Sequence, residues 1–266
     1  MPIAIVTGAS TGIGKTTAEA LAREGYRVFG TSRKVRDGGP AGVEMVACDV
    51  TDQQSVDRLV SHVLAEAGQI DLVVNNAGLG LVGGAEESSI GQVQALFDVN
   101  VFGVMRVINA VLPSMRKRRS GRIINISSAL GLIPAPYLAH YAATKHAVEG
   151  YSQSLDHELR EFGIRVLLIE PAYTRTDMES NSLEIDAALP VYAETRAKMF
   201  ALNAKMLATG DDPWVVAQTV LSAAKDGTPR LRYPAGKAAR QISLLRRLVP
   251  SRMFDKSLRK QMGLPA

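Results

Sequence analysis

Residues 3–14 read IAIVTGASTGIG and set the architecture that the rest of the chain follows. Four apolar residues open the stretch, which predicts a buried strand, and apolar residues recur at helical spacing from Ile13 to Leu21. A strand, a turn of small residues and a helix, in this order, are typical of the first unit of a dinucleotide-binding α/β sheet. We therefore expect a nucleotide at this turn. The alternative is a tight strand-to-helix connection that binds nothing.

The glycines of this turn follow the spacing Gly-x-x-x-Gly-x-Gly. Small residues let the backbone approach a pyrophosphate, and the amino end of a helix offers free N–H groups and the positive end of its dipole. The residues expected to contact the cofactor here are Gly8, Ser10, Thr11, Gly12, Ile13 and Gly14.

The end of the second predicted strand bears on the choice of cofactor. An enzyme that uses NAD usually carries an acidic residue here, which holds the ribose 2′-hydroxyl. This chain has Ser32 and Arg33 instead, and a guanidinium makes charge-assisted hydrogen bonds to a 2′-phosphate. The sequence therefore predicts NADP(H). The alternative is that Arg33 and Lys34 are solvated surface charges.

Apolar runs and helical patterns alternate along the remaining chain. Runs that are apolar at successive positions indicate parallel strands covered on both faces. We expect one α/β domain over residues 1–266, built on a doubly wound, Rossmann-like parallel sheet. The predicted strands are 3–7, 27–31, 43–48, 72–75, 122–127 and 165–170, with a short one at 231–233. The predicted helices include one entered through Thr51 or Asp52 and ended at Gly68, one over 90–118, one from Tyr141 to Gly163, and one that starts at Asp211-Asp212-Pro213.

Two segments differ from these repeated units. Residues 177–210 are helical in pattern and rich in Met, Ala and Glu, which predicts a lid after the sixth strand. Residues 238–266 form a basic amphipathic tail, with Ile242 and Leu245 on its apolar face. Three interpretations of the tail stay open: a helix packed over the substrate mouth, a weak contact with an anionic membrane surface, or binding of an acidic carrier protein.

The charge distribution limits the classes of partner. From Lys225 to the end there are 11 basic and 2 acidic residues, whereas the remainder has 20 basic and 24 acidic residues. The net charge of +5 therefore comes from the tail. A nucleic-acid-binding domain would carry a basic face on its folded body, so we expect no nucleic-acid partner.

Cysteine usage and hydropathy suggest a compartment. Cys48 is the single cysteine, which excludes an internal disulfide and fits a reducing compartment. We find no signal peptide before the first strand and no apolar run of about 18 residues, so we expect a soluble cytoplasmic protein. The four histidines lack metal-ligand spacing, so we expect no metal.

Tyr141 and Lys145 are four residues apart on a predicted helix, so their side chains share one face. A nearby ammonium favours the ionised phenol, and we expect the pKa of Tyr141 to fall from about 10 towards neutrality. Ser128 lies thirteen residues upstream. A hydroxyl, an acid/base and a dinucleotide turn together point to hydride transfer at a carbonyl or an alcohol. Taken singly, Tyr141 could equally be a half-buried aromatic residue and Lys145 its exposed neighbour.

These motifs together resemble the short-chain dehydrogenase/reductase family over roughly residues 3–176, in the family's order and at its spacing. Ala172 is a departure, because the family has glycine there. The resemblance implies a catalytic tetrad of Asn100, Ser128, Tyr141 and Lys145. It also implies cofactor contacts at Asp49, Val50, Asn76, Ala77, Gly78, Tyr141, Lys145, Pro171 and Thr176.

Each member of this tetrad has an expected role. Tyr141 gives a proton to the substrate oxygen, and Ser128 donates a hydrogen bond to the same oxygen. Lys145 lowers the pKa of the phenol and holds the ribose hydroxyls. Asn100 anchors a water that links Lys145 to solvent.

The substrate pocket is expected at the carboxyl ends of the strands. Its predicted walls are apolar, which suggests a hydrophobic ketone, aldehyde or secondary alcohol of steroid-like, retinoid-like or long-chain type. Those walls are Leu130, Leu132, Ile133, Pro134, Tyr173 and the lid from Met178 to Met206.

The family commonly pairs two long helices, here 90–118 and 141–162, so a homodimer or homotetramer is expected. The competing functions are a nucleotide-sensing regulator that has lost catalysis and a lyase or dehalogenase that works without cofactor.

Overall fold

A seven-stranded parallel sheet forms the centre of the computed structural model, which describes residues 1–35, 39–176 and 182–264. Each strand is hydrogen-bonded to its neighbours in the order β3-β2-β1-β4-β5-β6-β7. The order reverses direction between β1 and β4, which is where such sheets bind ligands. The strands are β1 (Ile3–Val6), β2 (Arg27–Ser32), β3 (Val43–Ala47), β4 (Leu72–Asn75), β5 (Gly121–Ile126), β6 (Ile164–Pro171) and β7 (Arg232–Ala235).

Helices cover both faces of the sheet. On one face, Leu21 and Val220 pack in a cluster with Val6, and on the other Leu59 and Ile108 pack with Ile5. Successive β1 side chains are thus buried in opposite layers, as expected for a parallel strand, and the predicted doubly wound α/β fold is confirmed. The helices are α1 (Gly12–Arg23), α2 (Gln53–Ala67), α3 (Ile90–Phe97), α4 (Gly103–Arg118), α5 (Ala139–Leu159), α6 (Ala193–Ala208), α7 (Pro213–Lys225), α8 (Gly236–Leu248) and α9 (Ser251–Gln261).

Local sequence signals place several of the helix ends. Asp52 caps α2, because its side chain accepts hydrogen bonds from the backbone N–H groups of Gln54 and Ser55. Gly68 ends the same helix in the left-handed conformation, with φ of +73°. Asp212 caps α7 in the same way, by accepting from the backbone N–H of Trp214.

The predicted helix over 90–118 is interrupted by a π-helical turn, Asp98–Phe102, between α3 and α4. The segment Ile90–Arg118 is the one helical segment in the described ranges that is long and apolar enough to cross a membrane, because it contains an 18-residue window with a mean hydropathy of 1.6. The prediction that no apolar run reaches that length is therefore wrong. Of this apolar window, 44% is buried inside the protein, because α4 packs on the sheet through side chains such as Val107 and Ile108.

A buried carboxylate fastens the region predicted as a lid, of which residues 182–210 are described and 177–181 lie outside the described residues. Glu87 accepts hydrogen bonds from the backbone N–H groups of Leu189 and Gly84, each at 2.9 Å, and pairs with Arg196 of α6. Burial alone would raise the pKa of Glu87, but these hydrogen bonds and the Arg196 charge lower it below its usual value. The lid segment is thereby tied to the loop after β4.

Candidate active site

The turn between β1 and α1 is held against the segment that follows β4. The side chain of Asn76 donates from Nδ2 to the carbonyl oxygens of Thr7 at 3.0 Å and Gly8 at 3.1 Å. The buried Thr7 hydroxyl accepts in turn from the backbone N–H groups of Asn76 at 2.9 Å and Ala77 at 3.0 Å. Two of the predicted cofactor-binding segments are therefore joined at the carboxyl edge of the sheet.

The glycines of this turn serve two different needs. Gly8 and Gly12 have φ values of +65° and +53°, in the left-handed region that other residues rarely adopt. Gly14 provides space, because a Cβ there would lie 2.1 Å from the carbonyl oxygen of Gly8 and 2.4 Å from Nδ2 of Asn76. Thr11 precedes α1 without a side-chain hydrogen bond to the helix N–H groups. This tight turn and these available N–H groups fit the pyrophosphate of a dinucleotide.

A cavity of about 850 Å³ opens beside the turn. Asp49 lies in its wall and accepts from the backbone N–H of Thr51 at 2.9 Å and from its hydroxyl at 2.7 Å. Burial alone would raise the pKa of Asp49, but these hydrogen bonds and the positive charge of Arg33 hold it below its usual value. The predicted cofactor residues that line this cavity are Gly8, Ser10, Thr11, Gly12, Ile13, Ser32, Arg33, Asp49, Val50, Asn76, Ala77, Gly78 and Thr176.

A second cavity, of about 750 Å³, holds three of the four predicted catalytic residues in its wall, Ser128, Tyr141 and Lys145. Pro171 and Ala172 lie in the same wall. Several residues border both cavities, so a dinucleotide that fills the first would reach into the second. The shared residues are Ile13, Asn76, Gly78, Leu79 and Thr176.

Tyr141 and Lys145 both emerge from α5, and the Lys145 ammonium lies 5.6 Å from the centroid of the phenol ring. Both side chains are buried, with 8% and 7% of their surface exposed. Lys145 Nζ donates a hydrogen bond to the carbonyl oxygen of Ile126 at 2.9 Å. Ser128 caps the turn after β5, since its Oγ accepts from the backbone N–H of Leu130 at 3.1 Å. The turn after β5 and the helix α5 thus place the Ser128 hydroxyl, the Tyr141 phenol and the Lys145 ammonium on one cavity wall.

The expected depression of the Tyr141 pKa is not found. Burial raises the pKa of Tyr141 to about 12, and a hydrogen bond with Ser128 opposes this rise only in part. The helical spacing is as expected, but the ammonium of Lys145 is directed at the Ile126 carbonyl, so desolvation of the phenol prevails. The prediction that Lys145 brings this pKa towards neutrality is therefore wrong for this structure. Burial also lowers the pKa of Lys145 to about 8, against the opposing influence of Glu149.

Asn100 lies behind the cavity, in the π-helical turn, and is 2% exposed. Its Oδ1 accepts from the backbone N–H of Leu79 at 2.8 Å, and its Nδ2 donates to the Leu79 carbonyl at 2.9 Å and to Thr144 Oγ1 at 3.2 Å. Thr144 directly precedes Lys145. The described geometry therefore makes Asn100 a link between the nucleotide segment after β4 and the helix that carries the lysine.

Sequence reasoning missed a buried charge cluster close to Lys145. Glu149 lies one helical turn further along α5, and Arg232 Nε contacts its Oε2 at 2.8 Å and Glu170 Oε1 at 3.3 Å. Burial, helped by the charge of Glu149, raises the pKa of Glu170 to about 7. The available signal was a glutamate near the carboxyl end of the mostly apolar strand β6. Its partners come from elements distant in the sequence, so the spacing could not reveal them.

Replacing Glu170 by glutamine should make the folding stability less dependent on pH. The pKa of Glu170 is about 7 in the folded protein, against an ordinary value of 4.5. The unfolded chain therefore loses this proton at lower pH than the folded protein does, and the free energy of unfolding falls as the pH rises between these values. Glutamine avoids this loss, so the variant should gain up to about 3 kcal/mol over the wild type above pH 7, and much less near pH 5. Urea unfolding at both pH values measures the difference. Glu158→Gln, at an exposed position of α5, is the control, and an equal effect of Glu170→Gln at both pH values would contradict the prediction.

Most of the expected substrate walls line the second cavity. The wall includes Leu130, Ile133, Pro134 and Tyr173. Leu132 does not line it, because the chain turns there, and the Leu132 carbonyl accepts a hydrogen bond from Arg246 at 3.3 Å. Met178 lies outside the described residues. Residues of the predicted lid that line the wall are Ser182, Leu183, Glu184, Phe200, Ala201, Asn203, Ala204, Met206 and Leu207, and the predicted tail contributes Ile242, Leu258 and Met262. Within the described ranges no group of three His, Cys, Asp or Glu residues could hold a metal ion.

Comparison with known proteins identifies the family of this fold and site. A model of the short chain dehydrogenases matches residues 2–186, which is well over half of the chain. The chain belongs to the short-chain dehydrogenase family. The resemblance inferred from the motifs is confirmed, and the chain is an oxidoreductase of this family.

Relatives of this short-chain dehydrogenase support the assignment along almost the whole chain. It is 35% identical over 260 residues to the 3-ketodihydrosphingosine reductase of Bacteroides thetaiotaomicron, covering 97% of this chain and 96% of the relative. A short-chain dehydrogenase structure from Streptomyces avermitilis superposes with a TM-score of 0.84 at 32% identity, over 98% of this chain and 97% of that one.

Related short-chain dehydrogenase structures hold either of two nicotinamide cofactors. A Burkholderia phymatum member in complex with NAD matches with a TM-score of 0.80 at 28% identity, over 93% of this chain and 92% of that one. A metagenomic member in complex with NADP matches with a TM-score of 0.69 at 28% identity, over 89% of this chain and 98% of that one. Both cofactors thus occur among structural relatives at equal identity, so the preference of this chain has to be argued from its own residues.

Proposed function

We propose that this chain is an NADPH-dependent reductase that transfers a hydride to the ketone carbonyl of a long-chain hydrophobic substrate. The observation that carries the proposal is the second cavity, where a largely apolar wall ends at the Ser128 hydroxyl and the Tyr141 phenol beside the nucleotide turn. A carbonyl placed at these hydroxyls would lie next to a dinucleotide held by the first cavity.

The protonation state of Tyr141 suits the role of proton donor to the substrate oxygen. A phenol with a pKa of about 12 keeps its proton at neutral pH. It can therefore give a proton to a substrate oxygen that gains negative charge, but it cannot accept one without first being ionised.

The catalytic roles follow from the positions of four residues. When bound, the cofactor supplies the hydride, and the protein supplies placement and electrostatics. Tyr141 protonates the substrate oxygen, and Ser128 donates a hydrogen bond that fixes its position. Lys145 provides positive charge beneath the phenol, within 5.6 Å of its ring. Asn100 positions α5 through Thr144.

The substrate class is argued from the cavity walls and from one relative. The lid and tail add Phe200, Leu207, Ile242, Leu258 and Met262 to the wall, which suits an aliphatic chain better than a charged metabolite. The Bacteroides thetaiotaomicron relative is a 3-ketodihydrosphingosine reductase. We therefore favour a ketone on a long alkyl chain over a steroid-like or retinoid-like substrate.

The preference for NADPH is argued from the end of β2. Ser32, Arg33 and Lys34 line the first cavity, and the described residues of that strand end include no acidic side chain that would repel a 2′-phosphate. Arg33 is close enough to lower the pKa of Asp49, so its positive charge acts inside the nucleotide site.

Arg33→Gln should weaken NADPH far more than NADH. Hydrogen bonds to a charged group contribute about 1.5–3 kcal/mol, so KM for NADPH should rise by about 10- to 100-fold while KM for NADH changes little. Steady-state kinetics with each cofactor measure both values. Lys117→Gln removes an exposed cation at the opposite edge of the sheet and serves as the control. An equal loss for both cofactors would argue against recognition of the 2′-phosphate.

The test of the proposed function is NADPH oxidation, followed at 340 nm, with a panel of carbonyl compounds. The panel holds 3-ketodihydrosphingosine, a medium-chain 2-ketone, a steroid ketone, retinal and a charged 2-keto acid. We expect kcat/KM to rise with alkyl chain length and to be lowest for the keto acid. Turnover confined to the steroid, retinal or keto acid would overturn the substrate class, and turnover of none of them would overturn the function.

A further inference from the structure

Helix α8 exposes a patch of leucines on the side that faces away from the protein. Leu244, Leu245 and Leu248 are 58%, 49% and 72% exposed, and Met253 at the start of α9 is 65% exposed. On a helix, positions 244 and 248 lie one turn apart on one face, with 245 beside them. Large apolar side chains clustered in this way are a usual mark of an interaction surface.

Basic residues precede and follow this leucine patch along the chain. Residues 236–264 contain eight basic residues and one acidic residue, Asp255. Lys237 and Arg240 lie on the exposed side of α8, two turns and one turn before Leu244, respectively. The basic residues are Lys237, Arg240, Arg246, Arg247, Arg252, Lys256, Arg259 and Lys260.

A different side of the same two helices forms part of the substrate cavity. Ile242 of α8 and Leu258 of α9 line it, together with Met262. Arg246 joins α8 to the turn that follows β5 by donating from Nε to the Leu132 carbonyl at 3.3 Å. The leucine patch therefore lies on the outer surface of the element that covers the cavity.

We propose that α8 and α9 dock onto the surface of an anionic lipid bilayer. The three leucines enter the boundary between headgroups and acyl chains, and the surrounding lysines and arginines contact anionic headgroups. Docking in this orientation places the cover of the cavity against the membrane, so that a long-chain ketone can pass from lipid to the site without crossing water. This last step rests on the proposed function, whereas the docking itself does not.

Charge complementarity favours lipid over a second copy of the chain. Two copies that met through this patch would bring their basic helices together, and like charges at an interface are unfavourable. An anionic bilayer offers negative charge and an apolar interior in the same surface. Both features match the composition of the patch.

Sedimentation with lipid vesicles tests the docking. The full chain is mixed with vesicles of phosphatidylcholine, with or without phosphatidylglycerol. We expect the protein to pellet with the anionic vesicles, to stay in solution with the neutral ones, and to be released by high salt. A wild-type protein that remains in solution with anionic vesicles at low salt would overturn the proposal.

Paired variants separate the leucines from the charges. The double change Leu244→Ser and Leu248→Ser should weaken partitioning by at least about tenfold, because two side chains no longer enter the lipid. The double change Lys237→Glu and Arg240→Glu should have a similar effect at low salt only. Ile90→Ser, at a position 73% exposed on another helix, and the double change Arg116→Glu and Lys117→Glu are the matched controls.

The outcomes distinguish the possible occupants and the two proposals. If the leucine variant changes the oligomeric state in analytical ultracentrifugation but not vesicle binding, a second copy covers the patch and the proposal fails. With docking as proposed, the leucine variant loses activity on a ketone carried in anionic vesicles and keeps it on a soluble medium-chain ketone. Vesicle binding without turnover of any ketone would leave the docking intact and overturn the proposed function. Turnover of a ketone without vesicle binding would overturn the docking and leave the proposed function intact.

Discussion

Tyr141→Phe should lower kcat for ketone reduction by about 10²- to 10⁴-fold, the range expected for loss of a general acid. The Tyr141 phenol lies in the cavity wall, keeps its proton at neutral pH because its pKa is about 12, and shares a hydrogen bond with Ser128. Phenylalanine retains the ring that packs in the buried cluster with Leu138 and Met199, so the fold should persist. NADPH oxidation at saturating cofactor and substrate measures the loss.

A matched tyrosine on the same helix provides the control for this experiment. Tyr151 is partly buried and packs in the core cluster on one face of the sheet, remote from both cavities. Tyr151→Phe should keep activity within about twofold, since it removes a hydroxyl that touches neither site. If Tyr141→Phe retained most of its turnover, another group would have to supply the proton, and the assigned role would be wrong.

Gly14→Ala should abolish NADPH binding and destabilise the protein by about 3 kcal/mol or more. The added methyl would lie 2.1 Å from the Gly8 carbonyl oxygen, a backbone atom that has no room to retreat. Relief requires the turn to open, which also breaks the Asn76 hydrogen bonds to Thr7 and Gly8. NADPH fluorescence titration and thermal unfolding measure the two effects.

Gly150→Ala is the matched change for this prediction, because both glycines are helical. A Cβ at Gly150 would meet no atom within 4 Å. Alanine should therefore be neutral or stabilise α5 by up to about 1 kcal/mol, through its higher helix propensity. Normal NADPH binding by Gly14→Ala would show that the turn is more adaptable than its packing indicates.

Much of the fold could be predicted because its signals are local. The apolar run of β1, the small residues after it and the apolar stripe of α1 follow one another directly in the sequence. Asp52 and Gly68 are the residues that flank α2 at its two ends. Most of the predicted cofactor residues likewise border the first cavity, whereas Tyr141, Lys145 and Pro171 border the second. Parallel strands end at one edge of the sheet, so residues that follow separate strands meet there without any long-range signal.

The parts that could not be predicted depend on three-dimensional burial. The spacing of Tyr141 and Lys145 was sufficient to place them on one wall, but only the structure shows that the ammonium is bound to the Ile126 carbonyl and that desolvation controls the phenol. Likewise, Glu149 and Glu170 are ordinary surface residues by type, and their contact with Arg232 joins α5, β6 and β7.

The π-helical turn at Asp98–Phe102 has a consequence for how this chain can change in length. An α-helix advances by about 100° per residue, so deletion of one residue in this turn would rotate α4 relative to α3 by roughly that angle. Val107 and Ile108 would then leave the sheet for the solvent side. Surface loops accept insertions and deletions freely, but this segment should not tolerate them as related sequences diverge. The number of its residues is therefore as constrained as the identity of its side chains.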